Sequence, residues 1–149
     1  MELMRQAQGA PGETQTRFTI TFTGAAGFGQ AADVITAFTT TGIVLVRKIL
    51  PYPTTSLTQS GATPTLALGV VGQTPLFIAA TTATLITTTN KIWTSATPVA
   101  GGQALPAAMK DIVIMANIVL TVGGTLNING GVLVVDVFWQ PVSAGASLV

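Results

Sequence analysis

The 149-residue chain carries six basic and five acidic residues, a net charge of +1, and neither histidine nor cysteine. Disulfides, thiolate sites and histidine-based catalysis or metal binding are thereby excluded, and so small a net charge supplies no field for steering nucleic acid. Only 7% of residues are charged and 48% are hydrophobic, where an average soluble domain is about a quarter charged.

Residues 1–16 are polar and turn-rich (Gly9, Pro11, Gly12) and read as an N-terminal arm that orders on a partner. The first strand is expected at residues 17–23, where Phe18, Ile20 and Phe22 alternate with threonines. Gly24, Gly27 and Gly29 then mark a flexible loop. Residues 33–38 suit either a strand or a short helical turn. Residues 43–50 form a strand apolar on both faces, which Pro51 and Pro53 are expected to end. Residues 65–71 alternate again. Residues 75–80 are ambiguous between short helix and loop, and the threonine-rich run 81–89 suits a strand, continued or restarted at 91–94. After a turn region at 98–106, residues 111–122 read as one strand. Gly123-Gly124 turns it into a hairpin with residues 125–129, Asn129-Gly130-Gly131 turns the chain again, and residues 132–139 close the sheet.

About eight short strands with turns every 8–12 residues predict an all-β fold, a jelly-roll-like sandwich or barrel, as a single domain over residues 17–149. A chain of this length buries roughly 70% of its unfolded surface, enough for a true core. The high mean hydropathy of +0.63 prompts a test for membrane helices. Prolines 51, 53, 64 and 75 break the stretch 49–90, and glycine and asparagine turns break 112–135. The N-terminus lacks the apolar run of a signal peptide, so synthesis in the cytoplasm as a soluble chain is expected.

Catalytic motifs are missing: there is no G-x-S-x-G, no Walker A lysine, and the loop glycines lack G-x-G-x-x-G spacing. Asp111 and Asp136 are residue types a glycosidase needs, yet Asp111 stands beside Lys110 at a strand start and reads as a solvated charge. No catalytic residue, cofactor, metal or small-molecule substrate is expected. Arg47 and Asp136 stand inside apolar strands, where an unpaired charge is costly. They either pair with each other, across strands or a subunit contact, or point separately to solvent. Tyr52, Trp93 and Trp139 are the residue types of a sugar platform, but their apolar strand settings favour packing. The chain lacks the charges that keep monomers apart, so a homo-oligomer or shell subunit is expected, with partners covering its surface.

Nearly the whole chain resembles small structural proteins of tailed-phage virions, particularly capsid decoration (cement) proteins. The resemblance is carried by the Thr/Ala/Gly/Val-rich composition, the absent cysteine and histidine, the short strands, and a closing strand and tail, residues 132–145. It implies a β-barrel or jelly roll, usually trimeric, that sits on the outer capsid surface, binds the major capsid protein and bridges capsomers. No catalytic residues carry over with it. The interface is expected to involve Met4 and Arg5 of the arm together with Arg17, Arg47, Asp136 and Trp139. A tail-fibre tip or other receptor-binding domain is the alternative.

Overall fold

The computed structural model describes residues 12–61, 63–90 and 92–149. They build two four-stranded antiparallel sheets facing one another across a common core. The first sheet has the order β1 (Thr14–Thr21), β9 (Ile128–Pro141), β4 (Val44–Gln59), β7 (Lys110–Ile114). The second has the order β2 (Val34–Phe38), β8 (Ile118–Gly123), β5 (Thr65–Val70), β6 (Gln73–Thr82). A two-stranded ribbon of β3 (Thr40–Thr41) and β10 (Ser147–Leu148) closes one end. The expected all-β antiparallel sandwich is what forms.

Alternation drives this arrangement. Leu133, Val135, Val137 and Trp139 of β9 point inward, as do Leu66, Leu68 and Val70 of β5 and Ile118, Leu120 and Val122 of β8. Phe18 and Phe38 meet edge-on between the sheets, with ring centroids 6.0 Å apart. Strand β4 looks apolar on both faces because it contains a bulge. Val46 pairs with Trp139 and Lys48 with Phe138, so Arg47 is an extra residue relative to β9. Inward positions run Val44, Val46 before the bulge and Ile49 after it, a shift of phase by one residue.

Several expectations are corrected. Strand β1 begins at Thr14, inside the expected arm. The chain does not stop at Pro51 and Pro53, because β4 continues to Gln59. Strand β7 flanks β4 only from Val44 to Lys48, so beyond that point β4 is an edge on that side. Two prolines spaced by two direct their nitrogens to the same side, and an open edge asks for no donor. Residues 33–38 and 75–80 are resolved as strand, in β2 and β6. The run 81–89 is mostly not strand: β6 ends at Thr82 and a 3-10 turn follows over Ala83–Leu85.

The largest correction concerns the expected hairpin. Residues 111–122 are two strands, β7 and β8, which lie in different sheets. Between them Asn117 holds the crossing: its Oδ1 accepts from Thr40 N at 2.9 Å and its carbonyl from Val71 N at 3.0 Å. After Gly123-Gly124 the chain does not fold back on β8 but crosses to the first sheet and becomes β9. Asn129-Gly130-Gly131 is no turn either, since β9 runs through it against the irregular end of β4. Gly131 has φ 105°, and a Cβ there would lie 2.7 Å from Leu57 Cα and Ser56 O, so only glycine lets β9 pass.

The loop between β1 and β2 is tied rather than flexible. Asp33 Oδ2 accepts from the backbone N–H of Gly27, Gly29 and Gln30 at 2.8, 3.2 and 2.9 Å. Asn127 bridges it from the other side, donating to Gly24 O at 3.0 Å and accepting from Ala31 N at 2.9 Å.

Candidate functional site

On the outer face of the first sheet the register sets Arg17 of β1 directly opposite Asp136 of β9. Directly paired residues of opposite charge attract, and here the contact is bidentate. Arg17 Nε donates to Asp136 Oδ1 at 2.7 Å and Nη2 to Oδ2 at 2.9 Å. Tyr52 Oη lies 3.4 Å from Oδ2. The Asp136 side chain is only 9% exposed, that of Arg17 56%. Hydrogen bonds from Arg17 hold the Asp136 carboxyl below the usual carboxylate range, overcoming the opposite push of burial, and Gln15 and Tyr52 act in the same sense. The carboxylate in turn keeps the Arg17 guanidinium more firmly protonated.

Arg47 is therefore not the partner of Asp136. It projects from the bulge of β4 and pairs with Asp111 at 2.9 Å, both side chains being substantially exposed. Asp111 adopts a left-handed conformation with φ 55°, which aspartate takes more readily than most residues. The two carboxylates weighed as a glycosidase pair are thus each engaged with a different arginine.

Trp139 faces the core and is 8% exposed, so it belongs to the interior rather than to a contact surface. Its Nε1 donates to Thr16 Oγ1 at 2.9 Å, fastening β1 to β9. Trp93 is fully buried and donates to Thr81 Oγ1 at 2.9 Å. Both tryptophans are packing residues, while Tyr52 stands on the outer face. Met4 and Arg5 lie outside the described residues.

An open groove of about 690 Å³ lies beside Tyr52. One wall is the outer face of the first sheet, with Leu50, Tyr52 and Thr54 of β4 and Asp136 and Phe138 of β9. The other wall is formed by Thr88, Ile92, Thr94, Gln103 and Leu105, with Trp93 between them anchored by its hydrogen bond to Thr81. Thr94 Oγ1 donates to Gln103 Oε1 at 2.6 Å. Lys48 Nζ sits 4.4 Å from the centre of the Phe138 ring, a cation–π contact at the groove's rim. Sequence patterning missed this groove because its second wall is an irregular segment with no periodicity to read.

A second surface was also missed. At the end of the sandwich closed by β3 and β10, Val71, Met115 and Val142 are 56%, 71% and 56% exposed. Hydrogen bonds knit their segments together: Val71 N to Asn117 O, Thr40 N to Asn117 Oδ1, and Val142 N to Ile43 O. Segments 39–43, 71–72, 115–117 and 142–149 contain no charged side chain.

Among the described residues no group of three or more acidic side chains is placed to hold a metal ion, and no helix is long and apolar enough to cross a membrane. No protein-family model matches this chain, and no curated protein or solved structure matches it.

Proposed function

We propose that this chain is a virion structural protein, a capsid decoration protein that binds the outer surface of a shell and stabilises it by bridging neighbouring capsomers. The observation carrying this is the end of the sandwich where Val71, Met115 and Val142 project from segments with no charged side chain. Isolated exposed apolar residues need no explanation, but several on adjoining loops suit a surface that another protein covers.

The strand order supports the same reading. The eight long strands pair first with eighth (β1·β9), second with seventh (β2·β8), third with sixth (β4·β7) and fourth with fifth (β5·β6). That is a long antiparallel ribbon rolled up so that β9·β4 and β8·β5 complete the two sheets. This strand order supports a jelly-roll reading, an architecture that viral capsid and lectin domains use. Function is not implied by fold, so the weight stays on the surface.

In this proposal the mechanism is mechanical. Many copies, each a trimer, add buried area between capsomers. The test is the copy number in purified particles, measured by quantitative mass spectrometry. Copies matching the capsid lattice are expected, whereas a handful per particle would place the chain at the tail and overturn the proposal. One observation, the groove beside Tyr52, favours a receptor-binding domain instead.

A further inference from the structure

From the groove beside Tyr52 we infer a binding site for a neutral saccharide. Its volume of about 690 Å³ falls inside the range of about 300–1,000 Å³ typical of small-molecule sites. Tyr52 and Phe138 give one wall aromatic surface, which suits the apolar C–H face of a pyranose ring. Uncharged polar groups stand opposite, in Thr88, Thr94 and Gln103. Gln103 turns its carbonyl oxygen to Thr94 Oγ1, which leaves its amide nitrogen to donate to a ligand hydroxyl.

Other ligand classes fit less well. The groove's carboxylate, Asp136, is neutralised by Arg17, so a cation finds no unpaired partner there, and Lys48, whose ammonium lies over the Phe138 ring, is not among the residues that line the groove. An acyl chain would strand the hydroxyls and the amide without hydrogen bonds. An extended peptide binds by adding a strand to a sheet edge, and the β4 edge along this groove carries Pro51 and Pro53, which have no N–H to offer. Recognition must therefore come through side chains, on a ligand that is uncharged, rich in hydroxyls and flat on one face.

The labelled full-length protein would be applied to an array of neutral, sialylated and sulfated oligosaccharides, and the best neutral binder titrated by calorimetry. Neutral glycans should be retained selectively. Gln103→Ala, at an exposed position that leaves the fold intact, should weaken binding about tenfold, the effect of one lost hydrogen bond in a site. Phe138→Ala should weaken it at least as much. Retention of no neutral glycan, preference for the acidic ones, or affinity unchanged in both variants would each overturn the inference.

Discussion

Asp136 shows how one residue's setting becomes a property of the molecule. Its folded-state carboxyl ionises at lower pH than a free aspartate, whose value is about 3.9. Between those two values the unfolded chain binds more protons than the native one, so acid favours unfolding there. The stabilisation from the Arg17 contact is thus fully present above about pH 4 and lost as pH falls through the lower, folded value. Urea unfolding of wild type and Asp136→Asn at several pH values checks this. The variant should be less stable at neutral pH, and the two should converge as pH falls through the lowered folded-state value. Parallel curves would show that the carboxylate does not carry the acid response. Gly29 is a second sensitive position. It has φ 105°, and a Cβ would stand 2.4 Å from Ile128 O, beside the carboxylate nest of Asp33. Gly29→Ala should therefore destabilise by more than about 1 kcal/mol, read as a shift in the denaturation midpoint. Reading the sequence singled out Asp136 as a charge among apolar neighbours that would either pair or face solvent. It could not identify Arg17 as that partner, because cross-strand neighbours depend on which strands pair.

At the level of elements, the segment between β6 and β7 behaves as a wall because Trp93 anchors it. The indole is fully buried and donates to Thr81 Oγ1, which itself donates to Ala79 O at 3.0 Å. Trp93→Ala should destabilise by about 3–5 kcal/mol, as large aromatic truncations in cores do. Trp93→Phe keeps most of the packing and loses the hydrogen bond, so about 1 kcal/mol of the loss should remain. Chemical denaturation measures both, and limited proteolysis within residues 86–106 should become faster in the alanine variant. Strand existence was largely legible from the sequence, since period-2 patterning marks β1 and β5 and apolar β-branched runs mark β4 and β9, while β7 and β8 read as one strand. Strand ends were not. Pro51 and Pro53 look like terminators until the sheet shows that β7 has already left the β4 edge. Residues 75–80 look ambiguous because β6 pairs irregularly with β5, with bulges around Leu68.

For the whole molecule, the order of strands was the least legible feature, because alternation shows that a strand has a buried face but not which strand lies beside it. Gly123-Gly124 carries the residues of a tight turn, yet its flanking strands separate into opposite sheets. The shortage of charge, in contrast, was visible at once. The loops bearing Val71, Met115 and Val142 share one end of the sandwich without a charged side chain among them. If this end is the contact surface, charge placed there should disrupt assembly and spare the fold. Surface substitutions away from special features alter stability by only about 0.5 kcal/mol, while a desolvated, unpaired carboxylate in a protein contact costs far more. The double variant Met115→Glu with Val142→Glu should melt close to wild type and elute as a monomer in size-exclusion chromatography with light scattering, where the proposal expects wild type to elute as an oligomer. Removing residues 1–11 leaves β1 whole and should preserve the fold, whereas removing 1–16 takes away Thr16, the acceptor for Trp139, and should lower the melting temperature. A double variant that associates as wild type does would move the contact to another face, with the exposed side chains Arg17 and Arg47 of the first sheet next to be tested.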